Sequence, residues 1–146
     1  MSLDASVVDS LLRSARTGEL EIVTSVISVT EVALAATEKE LGSLSTAALT
    51  IIDGLWEPPS PIKLVEVHRL IALDARRLMR QGVPDGLALK PPDAIHLSTA
   101  MRTARQEFLT YDPRLSKYAG AIGLPVREPV SDELPFEFGD PSAPGA

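Results

Sequence analysis

The first third of the chain has apolar positions at helical spacing, then at strand spacing, then at helical spacing again. Residues 5–17 show the helical period, and Gly18 follows where a helix often ends in a left-handed residue. Residues 20–24 are β-branched and partly alternating, which predicts a strand. The S-x-x-E motif of residues 28–31 predicts a helix start, and an alanine-rich apolar stretch extends that helix to Gly42.

The middle of the chain predicts two more helices separated by a short strand. Residues 44–55 repeat apolar positions at helical spacing, and the prolines around residue 59 then require an extended link. Residues 62–65 are predicted as a strand and residues 66–81 as a long helix. The buried side of that helix is expected to contain Val67, Leu70, Ile71, Leu78 and Met79.

The last third continues the alternation and ends in a tail. A loop over residues 82–92 precedes a helix near Asp93, followed by a strand at 107–110, a helix at 112–121 and an edge strand at 124–126. This order predicts an α/β fold of three layers, α/β/α, with a mainly parallel sheet. We expect one domain over residues 1–128 and a flexible proline-rich acidic tail over residues 129–146.

Composition narrows the chemistry without excluding nucleic acid as a partner. The chain has no cysteine, so disulfides, zinc–thiolate sites and thiol catalysis are excluded. It shows neither a membrane-length apolar run nor a basic leader, which predicts a cytoplasmic protein with no membrane partner. The net charge is −6, but five acids and no Lys or Arg follow residue 127, so residues 1–127 carry 14 bases against 15 acids, or −1.

Three acids stand at predicted helix starts, and each has a purely structural explanation. Glu31 would close a capping box with Ser28. Asp112 precedes Pro113, as an N-cap aspartate precedes proline at the first helical position. Asp93 is an acceptable residue in a first helical turn.

Their places in the predicted fold suggest a second, chemical role. Glu31 and Asp112 follow strands closely, and such strand-to-helix turns meet at the carboxyl edge of a parallel sheet. Carboxylates gathered there repel one another unless a cation is present, and Mg²⁺ or Mn²⁺ prefers such oxygen ligands. A cation of this kind supports phosphodiester hydrolysis without a protein nucleophile.

Two motifs in the second half carry a family resemblance. The segments Pro-Asp-Ala-Ile-His-Leu-Ser-Thr-Ala at 92–100 and Glu-Phe-Leu-Thr-Tyr-Asp-Pro-Arg-Leu at 107–115 resemble the PIN-domain family, in particular the VapC-like toxin ribonucleases of bacterial toxin–antitoxin pairs. Residues 19–32 resemble the family strand and the helix that carries its glutamate, so the likeness covers roughly residues 5–127.

The resemblance implies a metal-dependent endoribonuclease. Glu31, Asp93 and Asp112 would be catalytic acids that bind Mg²⁺ or Mn²⁺, and the hydroxyl of Thr110 would orient a carboxylate or water. RNA would be the substrate and an antitoxin protein the partner. His96, a lone histidine in an apolar helix, is expected to be a packed core residue outside the site.

The opening of the chain has two interpretations. Family members begin with a central strand that ends in an aspartate, and Leu3-Asp4-Ala5-Ser6-Val7 reads like that phrase. Few residues precede Asp4, however, and residues 8–18 run as a helix straight into the next strand. On this second interpretation the family's first strand and acid are absent, which would weaken metal affinity, stability and activity.

Two surfaces leave their roles open at the sequence level. The arginines would either follow an RNA backbone or form a solvated helix face; they are Arg69, Arg76, Arg77, Arg80, Arg102 and Arg105. The apolar helical pair over residues 28–55 would bind an antitoxin, bind a second copy to give a homodimer, or lie in the core. The alternative function is a catalytically inactive or truncated PIN-like binding module, in which the three acids only cap helices.

Overall fold

The structure, a computed structural model, describes residues 5–103 and 106–129. Helices and short parallel strands follow one another along this part of the chain. In order, the elements are α1 (Ala5–Arg16), β1 (Ile22–Ser25), α2 (Ser28–Glu31), α3 (Ala36–Leu41), α4 (Thr46–Trp56), β2 (Ile62–Val65), α5 (Arg69–Gly82), a 3₁₀ turn (Val83–Asp85), α6 (Pro91–Thr103), β3 (Phe108–Leu109), a 3₁₀ helix (Pro113–Tyr118), α7 (Ala119–Ile122) and β4 (Val126–Arg127).

The strands form two parallel pairs within the described residues. β1 pairs with β2, with Ile22 opposite Ile62, and β3 pairs with β4, with Phe108 opposite Val126. The predicted parallel arrangement is therefore confirmed. Each described sheet has two strands, where the alternating pattern had suggested one continuous sheet.

The core lies where α5 and α6 pack against each other and against the chain after β3. Leu78 of α5 and Leu97 of α6 are buried together with Leu115 and Tyr118 of the 3₁₀ helix. Phe108 and Val126 of the second strand pair pack against the same cluster. α6 also contacts β1, so this helix touches both halves of the described structure.

A buried carboxylate links α5 to α6. Asp74 is 4% exposed, and its Oδ1 accepts a hydrogen bond from Arg77 Nη1 at 2.8 Å. Its Oδ2 accepts one from Arg102 Nε on α6 at 2.5 Å. The Arg102 side-chain hydrogen bond, the larger cause, and that of Arg77 lower the pKa of Asp74 despite its burial. This ion-paired group fixes the two longest described helices to each other.

Three features of the predicted elements were wrong. Residues 28–42 do not form one helix, because the chain leaves helical geometry after Glu31 and starts again at Ala36. Ser28 is the first residue of α2 and makes no N-cap bond, so the Ser28–Glu31 capping box is absent. Leu70, expected on the buried side of α5, is 47% exposed.

Another glutamate, Glu38, makes the kind of backbone contact that the motif had predicted for Glu31. Glu38 Oε1 accepts a hydrogen bond from the Ala35 amide at 2.9 Å, and Oε2 accepts one from the Ser45 amide at 2.8 Å. Gly42, with φ of 67°, ends α3 between these two points. The buried Glu38 carboxylate thus joins the start of α3 to the start of α4, and these backbone bonds lower its pKa, that to Ala35 most.

The opening segment is helical as far as the structure describes it. Ala5–Arg16 forms α1, in agreement with the helical interpretation of residues 8–18. Leu3 and Asp4 lie outside the described residues, as do residues 130–146 of the tail expected over residues 129–146. None of the helices in residues 5–103 and 106–129 is long and apolar enough to cross a bilayer.

Candidate functional site

Glu31 lies at the end of α2 and is held by a histidine from α6. Its Oε1 is 2.5 Å from Nε2 of His96, across 65 residues of sequence. The Glu31 side chain is 41% exposed, whereas that of His96 is 18% exposed. The hydrogen bond uses one carboxylate oxygen, and no hydrogen bond from residues 5–103 and 106–129 reaches Oε2. His96 was expected to be a packed core residue outside the site; its side chain is mostly buried, and its ring nitrogen also contacts Glu31, a predicted site acid.

Asp93 is the third residue of α6, one helical turn before His96. Residues three apart lie on the same face of a helix, so Asp93 and the Glu31–His96 pair share the first turns of α6. The N-terminal end of a helix favours negative charge through the alignment of its peptide dipoles, although in α6 the first two residues are prolines without an N–H group. Asp93 is partly buried at this end. The sequence prediction that it opens a helix is confirmed.

Asp112 is the N-cap of the 3₁₀ helix, as its Asp-Pro sequence predicted. Its Oδ1 accepts a hydrogen bond from the Arg114 amide at 3.0 Å, and Pro113 occupies the first helical position. The Thr110 hydroxyl accepts a hydrogen bond from the Asp112 amide at 3.0 Å. Thr110 therefore fixes the backbone from which the Asp112 carboxylate projects.

The Arg114 guanidinium also binds both oxygens of the Asp112 carboxylate. Nε lies 2.9 Å from Oδ1 and 3.2 Å from Oδ2, and Nη2 lies 2.6 Å from Oδ2. These side-chain bonds, followed by the Arg114 amide and then more distant charges including Lys90, lower the pKa of Asp112 to about 2. Asp112 is therefore fully ionised at neutral pH.

The three acids surround the same end of α6 without forming a cluster. His96 joins Glu31 to α6, and Lys90, the residue before α6, acts on Asp112 through its charge. The pKa of Arg114 is raised chiefly by Asp112 and more weakly by the charge of Asp93. Within residues 5–103 and 106–129, however, no three acidic or histidine side chains are close enough together to hold a metal ion.

The donor chemistry at this end of α6 fits a hard divalent cation. Glu31, Asp93 and Asp112 offer carboxylate oxygens, which Mg²⁺ and Mn²⁺ prefer, and a Mg²⁺ site commonly uses only one or two protein carboxylates with waters. In the arrangement observed, both oxygens of Asp112 are bound by Arg114. The three residues are therefore chemically suitable ligands that the described structure does not bring into one cluster.

Sequence reasoning missed His96 and Arg114. The signal for His96 was its i+3 spacing from Asp93 on one helix. The signal for Arg114 was its position two residues after an N-cap aspartate, where a basic side chain can pair with that carboxylate. Among the arginines considered for RNA, Arg77 and Arg102 bind Asp74, whereas Arg69, Arg76 and Arg80 are exposed; Arg105 lies outside the described residues.

Comparison with known proteins gives one assignment. The family model described as PIN domain matches residues 3–121, which is most of the chain and includes Glu31, Asp93 and Asp112. No curated protein and no solved structure gives a significant match.

Proposed function

The chain belongs to the PIN-domain family, and on that premise we propose that it is a metal-dependent endoribonuclease that serves as the toxin of a toxin–antitoxin pair. PIN domains are generally nucleases and typically use divalent metal ions, so the family supports a hydrolase that acts on nucleic acid. The choice of RNA, the metal and the role as a toxin are our proposals.

One observation carries the nuclease proposal. Glu31 comes from the segment after β1, Asp93 from α6 and Asp112 from the turn after β3, yet all three lie around the first turns of α6. Helix packing alone does not require acids from three separate segments to lie near one helix end. Among the described residues these acids do not form a three-ligand cluster, but their convergence near one helix end supports a hydrolytic site for phosphodiesters, because acidic groups must gather where a cation will sit.

Each residue has a distinct part in the proposed mechanism. Glu31, Asp93 and Asp112 would hold the cation, which when bound polarises a phosphoryl oxygen and activates a water. His96 fixes one Glu31 oxygen and leaves the other available. Thr110 holds the Asp112 backbone, so the Asp112 carboxylate starts from a defined position.

The cations near the acids suit a polyanionic substrate. Lys90 and Arg114 both lie within electrostatic range of Asp112, beside the proposed reaction centre. Positive groups here would bind RNA phosphates on either side of the scissile bond, because phosphate contacts supply most of the affinity for nucleic acid.

An exposed apolar surface supports a protein partner. α4 has an apolar sequence but no buried residue, and Leu44 and Ile51 are 84% and 73% exposed. Together with Leu41 and Leu49 they define the α3–α4 surface, and the chain carries no charged residue from Gly42 to Ile52. Apolar surface of this kind marks interaction sites. We propose that an apolar antitoxin segment covers it, and a second copy of this chain is the alternative occupant.

The test of the nuclease proposal combines metal binding with cleavage. Calorimetry with Mg²⁺ and Mn²⁺ is performed on the wild type and on Asp93→Asn, and the same samples are incubated with a mixed RNA pool. Asp85→Asn is the matched control, because Asp85 is an exposed acid in the 3₁₀ turn before α6 and contributes to none of the site contacts described above.

We expect metal-dependent cleavage by the wild type and by Asp85→Asn, and its loss in Asp93→Asn. Induced expression in a bacterial host should arrest growth for the wild type and not for Asp93→Asn, which tests the role as a toxin. A folded wild type that neither binds metal nor cuts RNA would instead establish the inactive binding module. In that case Asp112 is only a helix cap.

A further inference from the structure

Arg114 occupies the very oxygens that a metal at Asp112 would need. Its guanidinium contacts both Oδ1 and Oδ2, the shortest contact being 2.6 Å from Nη2 to Oδ2. His96 differs in this respect, because it contacts only one oxygen of Glu31. Arg114 cannot release Asp112 by losing a proton, since guanidinium stays charged in proteins and Asp112 raises its pKa further. Arg114 therefore competes with any metal for the oxygens of Asp112.

The geometry allows the Arg114 side chain to move at little cost to the fold. The Arg114 side chain is 74% exposed, so it lies on the solvent side of the carboxylate. Exposed ion pairs contribute little to stability, because water competes for both partners. The helix cap needs only the Arg114 backbone amide on Oδ1, and that bond does not depend on the guanidinium. Leu115, next in sequence, is buried and anchors the 3₁₀ helix.

Once displaced from Asp112, the Arg114 side chain would lie beside the proposed reaction centre with its guanidinium N–H donors available. Guanidinium binds phosphate oxygens in the same two-point geometry that it uses for a carboxylate. Asp93 already lies within electrostatic range of this guanidinium, and Lys90 adds a second positive charge near Asp112. An RNA phosphate at the acids would therefore meet Arg114 directly.

We propose that Arg114 exchanges between two anions: it competes with the divalent cation for Asp112, and once displaced it binds a phosphate of the RNA substrate. The exchange couples loading of the metal to preparation of the substrate site. This inference rests on the proposed ribonuclease function and adds to it a residue with two opposed effects. Removing the guanidinium should strengthen metal binding and weaken substrate binding, a combination that a purely structural residue would not produce.

The test uses Arg114→Ala, Arg114→Lys and a matched control. Arg127→Ala is that control, because Arg127 makes a similar two-point pair with Glu107, with Nε at 2.7 Å from Oε1 and Nη2 at 2.6 Å from Oε2. The Arg127 side chain also donates to the Glu128 carbonyl and contacts none of the three acids, and its backbone contact with Thr110 does not depend on the side chain. Calorimetry measures the Kd for Mn²⁺ of each full-length protein. Initial rates with an RNA pool at saturating Mn²⁺ give KM and kcat, and repetition over a range of salt concentrations gives the salt dependence.

For Arg114→Ala we expect Mn²⁺ to bind about 3- to 5-fold more tightly, which corresponds to the loss of one exposed ion pair. We expect KM for RNA to rise roughly 10-fold, the effect of one charge-assisted hydrogen-bonded contact. The slope of log KM against log salt should fall by about one. Arg114→Lys should show a smaller rise in KM than Arg114→Ala, because lysine keeps the positive charge but not the two-point donor geometry of the guanidinium. Arg127→Ala should match the wild type in Kd for Mn²⁺ and in KM.

The outcomes separate this inference from the function on which it rests. If the wild type cuts RNA but Arg114→Ala binds Mn²⁺ with unchanged or lower affinity, the exchange is wrong and the ribonuclease stands. If Mn²⁺ binds more tightly but KM does not rise, Arg114 only competes with the metal and does not bind substrate, which also overturns the exchange. If the wild type itself neither binds Mn²⁺ nor cuts RNA, the proposed function has failed, and the exchange fails with it.

Discussion

The Asp74 link between α5 and α6 gives the sharpest prediction for stability. Asp74→Asn keeps the size of the side chain but replaces one carboxylate oxygen with an NH2 group. That group is a donor and cannot accept a hydrogen bond from an arginine N–H. Hydrogen bonds to charged groups contribute about 1.5–3 kcal/mol each. The lower end applies here, because Arg77 and Arg102 are 58% and 38% exposed and water can replace part of each contact. Together the two bonds predict a loss of about 2–3 kcal/mol in the free energy of unfolding.

Urea and thermal denaturation at pH 7 measure this loss. For a chain of this size it corresponds to a fall in Tm of about 5–10 °C. Asp85→Asn, an exposed acid in the neighbouring 3₁₀ turn, is the control and should unfold like the wild type. A loss below about 0.5 kcal/mol for Asp74→Asn, the range of ordinary surface substitutions, would refute the reasoning.

The same variant has a defined pH dependence. The pKa of Asp74 is lowered in the folded protein, chiefly by the hydrogen bond from Arg102. A lowered pKa means that the stabilisation is fully present above the ordinary aspartate pKa of about 4 and is lost as pH falls through the folded value. The difference between wild type and Asp74→Asn should therefore be constant from pH 7 to 5 and shrink below about pH 4. An equal difference at pH 3 and pH 7 would contradict the assignment of an ion pair.

Three further predictions concern the site and the α3–α4 surface. His96→Ala should weaken Mn²⁺ binding about 10-fold in calorimetry, because partners that orient metal ligands commonly contribute that much, whereas an unchanged Kd would remove His96 from the site. Carbon-13 NMR of the Asp112 carboxyl should give a pKa of about 2, and Arg114→Ala should move it upward; a wild-type value near 4 would show that the Arg114 pair does not persist in solution. Leu44→Glu with Ile51→Glu should reduce binding of the dye ANS while leaving Tm within about 2 °C, because both side chains are exposed, and a larger fall in Tm would place them in the core.

The sequence predicted those elements whose local pattern agrees with their final packing. Residues 62–65 form β2 with the bounds expected, because prolines isolate the segment and β-branched residues favour the extended backbone. Asp112 is the N-cap that Asp-Pro indicates. The same local reasoning failed at Ser28, because the S-x-x-E motif occurs in a segment whose glutamate turns to His96 instead of to its own helix.

The contacts that make the site were beyond local pattern. Glu31 and His96 are 65 residues apart, and only the packing of α6 against the first strand pair brings them together. Leu70 has the periodicity of a core residue but is exposed. The face of α5 that is buried is the one that packs against α6, and this face includes the charged Asp74. Helical spacing fixes which residues share a face, and the neighbouring elements decide which face is covered.

Glu38 gives the exposed α3–α4 surface a property that its composition does not reveal. Its two carboxylate oxygens hold the amides of Ala35 and Ser45, so the backbone turn that carries Leu41 and Leu44 is closed by a single buried side chain. The shape of that turn is therefore set before any partner arrives, and association should lose little conformational entropy on this side of the interface. Glu38→Gln would leave the apolar residues in place but loosen the turn, so a partner should associate more slowly or dissociate sooner without losing a direct contact.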